Sequence, residues 1–173
     1  EIAHLAPYRD ALAARMNAPE LTLATGNAVE LFEEYILRAD KSRVDALGLI
    51  PLHAERFLRL RYNELCLGTY DGMEIVGFKN QLSHSYGDNP HPFLTMQTGT
   101  GIHPAVRAEG YHTAGFFATY LIGPLLPLNP PFAASLIRRM LPEYVDAPLP
   151  YEMEAYRRRV AQLRDPAVNT RFH

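Results

Sequence analysis

The segment from His84 to His112 contains four of the seven histidines of the chain. A neutral imidazole binds metal ions and exchanges protons near neutral pH, so this concentration of histidines predicts a metal centre or an acid–base site. The side chains of this segment that could take part are His84, His91, His103, Glu109 and His112.

A metal centre is the first of these alternatives. Glu109 and His112 are three residues apart, so on a helix they would share one face, as the carboxylate and imidazole ligands of di-iron bundles do. His103 precedes Pro104 and could fold back toward that face. Two nitrogens and one carboxylate suit zinc or non-haem iron, and a histidine beside an apolar segment could also bind haem. Iron, haem and zinc therefore all stay open as cofactors.

The same residues also allow two readings without a metal. A histidine beside a carboxylate such as Glu109 or Asp88 could act as an acid or base by itself. Histidines in a loop rich in glycine and proline could equally bind backbone groups and hold the loop together, with no ligand. The sequence does not separate these alternatives.

An uncharged run follows the histidine segment, over residues 113–137. Four prolines interrupt it and leave a continuous helix far shorter than the ~30 Å core of a bilayer, so we expect no transmembrane span. A buried helix followed by an apolar connector is the preferred interpretation. In that case Phe116 and Tyr120, with Phe93 from the preceding loop, would line an apolar substrate pocket.

Local patterns predict a mainly α fold of about six helices in a single domain over residues 1–173. The dipeptide Asp71–Gly72 between two apolar runs predicts one small β-hairpin over residues 65–78. Residues 79–104 are rich in glycine, proline and polar residues, and are predicted to form a long ordered loop. The predicted helices cover residues 6–18, 25–40, 51–65, 104–123, 131–144 and 150–165.

Composition narrows the class of protein and its partners. The 173 residues include 17 lysines and arginines and 19 acidic residues, and a net charge of -2 gives no reason to expect nucleic-acid binding. Cys66 is the only cysteine, so the chain has no internal disulfide and we expect a cytoplasmic protein. Its position between two leucines favours a buried thiol over a nucleophile.

These observations together favour an enzyme that acts on a small, partly apolar molecule, in the form of a metal- or haem-dependent oxidoreductase. In this interpretation Glu109, His112 and His103 are the catalytic residues. The alternative is a non-catalytic interaction subunit that docks through the Pro-rich apolar segment 113–137. Its partner would be another protein or a second copy of the chain.

Overall fold

The computed structural model describes residues 1–57 and 61–172, and in this part of the chain the fold is mainly β. Its eleven strands form three sheets. The strands are β1 (Thr22–Thr25), β2 (Tyr35–Leu37), β3 (Arg43–Asp45), β4 (Leu52–Arg56), β5 (Tyr62–Tyr70), β6 (Met73–Gln81), β7 (Ser83–Gly87), β8 (Leu94–Thr98), β9 (Ala108–Glu109), β10 (Tyr111–Thr113) and β11 (Phe116–Thr119). The helices are α1 (Ile2–Leu5), α2 (Arg9–Met16), α3 (Leu125–Leu128), α4 (Pro130–Met140) and α5 (Pro150–Arg164).

The predicted mainly α fold is therefore wrong, although three of its helices are present. Helices lie at Arg9–Met16, Pro130–Met140 and Pro150–Arg164, inside or close to the predicted ranges 6–18, 131–144 and 150–165. The last two have proline in their first turn, where its missing N–H costs nothing. At these three places the local signals of the sequence were sufficient to locate the helices.

The other three predicted helices are replaced by strands and turns. Residues 25–40 form a 3₁₀ helix at Gly26–Leu31 and then β2, while 104–123 contain β9, β10 and β11. Residues 51–65 contain β4 and the start of β5, and their positions 58–60 lie outside the described residues. Val29, Phe32 and Ile36 are buried as their spacing suggested. Short apolar patterns show that residues are buried, but they do not distinguish a helix from a strand.

The β5–β6 hairpin organises the first sheet, whose strand order is β6–β5–β8–β9. Asp71 and Gly72 form its turn with φ of 48° and 73°, the left-handed conformation that this dipeptide accepts. The hairpin was predicted, but its ladder is longer than expected and joins Tyr62 to Gln81. The prediction of a long loop over residues 79–104 is also wrong, because these residues contain the end of β6 and all of β7 and β8.

The two remaining sheets contribute the other layers of the fold. One has the order β3–β2–β4–β7, and the other has the order β1–β11–β10. Both contain one parallel pair, β2 with β4 and β1 with β11. Such pairs bring distant parts of the chain together, and Thr22 lies opposite Phe116 in the second of them.

Much of the uncharged segment 113–137 lies in the core of the protein. Phe116, Phe117 and Leu121 are at most 1% exposed, and Phe132 is completely buried. Most large side chains of the segment already have partners, but Leu128 is 37% exposed, and the predicted docking surface along the segment stays a prediction. In the described part of the chain, no helix has the length and hydropathy required to cross a membrane.

Asn129 closes the free edge of β6 at the end of α3. Its side-chain Oδ1 accepts from the backbone N–H of Val76 at 2.8 Å, and its Nδ2 donates to the Val76 carbonyl at 2.8 Å. Nδ2 also donates to the Leu125 carbonyl at 2.7 Å. A single buried amide thus replaces a neighbouring strand at this position, which protects the edge of the sheet.

We expect Asn129→Leu to destabilise the fold by about 2–4 kcal/mol, because it leaves two backbone groups of Val76 buried without partners. Urea unfolding followed by circular dichroism measures this loss. Asn17→Leu is the control, since the Asn17 side chain is exposed and bonds only to the Ala13 carbonyl of its own helix. Equal midpoints for the two variants would contradict the role of Asn129.

Candidate functional site

A buried ion pair between Lys79 and Glu109 lies where the β6 sheet meets the β11 sheet. Both side chains are 0% exposed, and Nζ lies 3.6 Å from Oε1. Lys79 also donates to the carbonyls of Thr100 and Gly101, at 2.7 and 2.8 Å. Its ammonium group is therefore surrounded by oxygen atoms and needs no contact with water.

Glu109 uses both carboxylate oxygens within the protein. Oε2 accepts from the Thr119 hydroxyl at 2.7 Å, and Oε1 accepts from the Tyr120 backbone N–H at 2.8 Å. The carboxylate therefore connects β9 to the end of β11, and this arrangement suits a fixed structural anion. The helix that was expected to place Glu109 beside His112 is absent, since β9 and β10 belong to different sheets.

A second buried acid, Glu33, lies beside the same tyrosine. The Ser85 hydroxyl donates to Glu33 Oε1 and lies 2.7 Å from the Tyr120 hydroxyl. The pKa of Glu33 is raised to about 8, mainly by burial. The hydrogen bond from Ser85 opposes this change, and the charge of Glu30 adds to it. Burial also raises the pKa of Tyr120. Both groups are therefore protonated at neutral pH.

His112 is the centre of a half-buried polar chain. Its Nδ1 lies 2.9 Å from the Phe116 carbonyl, and since a carbonyl only accepts, Nδ1 carries the proton. Nε2 then accepts from the Tyr70 hydroxyl at 3.0 Å, while Arg139 Nη2 donates to the same hydroxyl at 3.0 Å. Burial is the main cause that lowers the pKa of His112. The hydrogen bond to the Phe116 carbonyl opposes this change, and Arg139 and His91 lower the pKa further. The neutral imidazole is favoured.

Of the remaining histidines of the segment, His84 and His103 lie at other places, whereas the His91 carbonyl accepts from the His112 backbone N–H at 2.8 Å. His84 packs against the rings of Tyr62 and Phe57, with centroids 4.6 and 5.3 Å away. His103 stacks on Tyr86 at 4.7 Å. Burial lowers the pKa of both imidazoles, and in His84 the positive charges of His103 and Lys79 lower it further. His91 contacts Tyr111 at 5.8 Å.

The prediction of a metal-binding centre is wrong. Within residues 1–57 and 61–172, no group of three or more histidine, cysteine, aspartate or glutamate side chains could hold a metal ion. The expected set was His84, His91, His103, Glu109 and His112. It depended on a helix that would bring Glu109 and His112 to one face, and the chain forms strands there instead.

The predicted substrate-binding and catalytic roles remain predictions. Phe93, Phe116 and Tyr120 lie in the core and are at most 2% exposed. Glu109 is fully buried, whereas His103 and His112 are partly accessible. His112 and Glu109 therefore do not form one site. The His112 imidazole is bonded to the Tyr70 hydroxyl, whereas both oxygens of Glu109 are bonded to Thr119 and Tyr120.

Sequence reasoning missed Lys79, Glu33 and Ser85. One signal for Lys79 was available, because extending the ladder outward from the Asp71–Gly72 turn places Lys79 opposite Glu64, as observed. A lysine on a strand position shared with apolar residues indicates a buried partner of opposite charge. Glu33 and Ser85 gave no local signal, since they lie 52 positions apart.

Cys66 is fully buried, as the sequence predicted. Its Sγ lies 3.7 Å from the Glu64 carbonyl, and burial raises the pKa of the thiol. A thiol in this environment is protonated and inaccessible. Cys66 is therefore a packing residue.

Comparison with known proteins gives one indication of function. No family model matches the chain. The chain is similar to the lipid II isoglutaminyl synthase (glutamine-hydrolyzing) subunit GatD of Staphylococcus aureus (strain N315), with 29% identity over 126 residues. The similarity covers 71% of this chain and 49% of GatD, so the chain spans about half the length of this curated relative.

This similarity overturns the oxidoreductase interpretation. By its name, GatD is a subunit of a glutamine-hydrolysing synthase, and this is not redox chemistry. The predicted metal- or haem-dependent oxidation of a small apolar molecule also lacks the metal-binding group it required in the described residues.

The raised pKa of Glu33 predicts a specific dependence of stability on pH. Between the ordinary value of 4.5 and about 8, the folded protein keeps a proton that the unfolded chain releases. Stability therefore falls as the pH rises through this window, with a limiting slope of about 1.4 kcal/mol per pH unit. We expect Glu33→Gln to flatten this slope, measured by urea unfolding at pH 5, 6, 7 and 8.

Glu34→Gln is the matched control, because the neighbouring Glu34 is exposed. Its profile should follow that of the unmodified protein. An unchanged slope in Glu33→Gln would show that Glu33 does not hold the extra proton.

Removal of the Lys79 charge tests the buried pair. We expect Lys79→Met to cost about 3–5 kcal/mol, because Glu109 is left as an uncompensated buried charge. Adding Glu109→Gln should recover part of this loss, and a double-mutant cycle by chemical denaturation measures the coupling. Arg164→Met, in the exposed pair with Glu74, should cost less than about 1 kcal/mol. Additive losses at positions 79 and 109 would show that the pair is not coupled.

Proposed function

We propose that this chain is a component of a glutamine-dependent amidotransferase and works in a complex with a protein partner. The similarity to GatD over 126 residues is the observation that carries the proposal. GatD is named as a subunit, which agrees with the protein partner expected from the sequence. The cytoplasmic location expected from the single cysteine is part of the proposal.

The reaction in this proposal converts glutamine and water into glutamate and ammonia. A nucleophile attacks the carboxamide carbon, the C–N bond breaks, and a proton must reach the departing nitrogen. Cys66 does not supply the nucleophile, since its thiol is buried and protonated. In our proposal the attacking group therefore comes from elsewhere in the assembly.

His112 is the residue of this chain that we propose for proton transfer. It is half-buried, its neutral form is favoured, and its Nε2 already accepts from the Tyr70 hydroxyl. Arg139 donates to the oxygen of the same hydroxyl and so holds the hydroxyl in line with His112. A proton can therefore pass between Tyr70 and His112 without a rearrangement of either side chain.

An exposed apolar segment, residues 140–151, supports the proposed protein partner. It contains five large apolar side chains that are at least 40% exposed: Met140, Leu141, Val145, Leu149 and Tyr151. Exposed apolar patches are typical of contacts with another protein, and these side chains lie within twelve consecutive residues. We propose that the partner of the amidotransferase covers this segment.

The decisive experiment uses the full chain, tagged and purified from its native host under conditions that preserve complexes. We expect the complex to release labelled ammonia from glutamine that carries ¹⁵N in the side-chain amide. His112→Gln should lower this release by about 100-fold, the range for loss of an acid–base group. Val145→Asp should separate the chain from its partner while the thermal melting of the chain stays unchanged.

Cys66→Ser is the control for the chemistry, and it should retain the activity of the unmodified complex. Complexes that release no labelled ammonia would contradict the proposed amidotransferase. Loss of activity in Cys66→Ser with an intact fold would contradict our assignment of the nucleophile to another group.

A further inference from the structure

One edge of β5 is occupied by a short segment that returns from the end of α5. The strand pairs with β6 along its whole length, but with β8 only from Leu67 to Thr69. Beside residues 63–65 lies the return segment, residues 169–172. The Leu65 N–H donates to the Thr170 carbonyl at 2.8 Å, and the Phe172 N–H donates to the Asn63 carbonyl at 2.8 Å.

The return segment also covers a buried acid. Glu64 is 0% exposed, and its Oε1 accepts from the Thr100 N–H at 2.7 Å. Its Oε2 has no hydrogen-bond partner among the described residues, and the Arg171 guanidinium lies 3.4 Å from it. A buried carboxylate is costly without a positive neighbour, and Arg171 provides one from the return segment.

Few other contacts hold the segment in place. The Arg171 side chain is 65% exposed and Phe172 is 48% exposed, so the segment buries little apolar surface. Segments with few buried apolar contacts and accessible backbone hydrogen bonds open locally, well below the free energy of global unfolding. Opening would uncover both the backbone groups of residues 63–65 and the Glu64 carboxylate.

We propose that this edge of β5 is a docking site for an extended segment of a partner protein that carries an arginine opposite Glu64. The partner strand would extend the sheet through backbone hydrogen bonds, and its arginine would pair with Glu64. The return segment shows the geometry of the bound state and competes with the partner within the same chain. This inference does not depend on the amidotransferase proposal.

The test uses full chains and a fluorescein-labelled peptide with the sequence PAVNTRFH, residues 166–173. Phe172→Pro removes the N–H that donates to Asn63 and should release the return segment. Phe172→Ala keeps this N–H and is the matched control. In fluorescence anisotropy we expect Phe172→Pro to bind the peptide at least about tenfold more tightly than the control, whose own segment competes at a high effective concentration.

A peptide with Arg171→Glu examines the recognition of Glu64. It should bind Phe172→Pro at least about tenfold more weakly than the original peptide, because it places two carboxylates together. Equal binding of the two peptides, or equal binding by Phe172→Pro and Phe172→Ala, would overturn the proposal.

Hydrogen exchange of the unmodified protein gives a second measurement if Phe172→Pro does not fold. We expect the amides of Leu65 and Phe172 to exchange much faster than those in the centre of the β5–β6 ladder. Protection equal to that of the ladder would show that the segment does not open, and this too would overturn the proposal.

Discussion

The buried pair of Lys79 and Glu109 is the contact on which the arrangement of the sheets depends. The lysine is supplied by β6 and the glutamate by β9, while Thr119 and Tyr120 bind the same carboxylate from the end of β11. A buried charge is tolerated only where its partners are fixed in place. The strands that supply these partners are therefore constrained together, and the loop at Thr100 and Gly101 is held by the same lysine.

Three further buried acids are accommodated in two ways. Glu33 keeps its proton, whereas Glu30 pairs with Arg56 at 3.0 Å and Glu64 pairs with Arg171. The interior of the protein thus contains charges whose balancing partners come from its surface. Arg171 lies on a weakly held segment. When that segment opens, the buried Glu64 carboxylate therefore loses its positive neighbour.

The similarity to GatD and the surface of the chain both support the proposed protein partner. GatD is named as a subunit, and the similarity covers about half of it. The apolar side chains exposed between Met140 and Tyr151 are of the kind that a partner covers. His112, which is half-buried and bonded to Tyr70, lies near the same end of α4 through the contact of Tyr70 with Arg139.

The sequence by itself determined local features. Asp71–Gly72 set the turn and the register of the β5–β6 hairpin, prolines marked the starts of α4 and α5, and the burial of Cys66 followed from its neighbours. Only the tertiary structure decided that residues 104–123 form strands, because their partners, such as Thr22 opposite Phe116, are far away in the chain. It also decided the roles of Glu109 and Glu33, since the pKa and the partners of a carboxyl depend on what burial places around it.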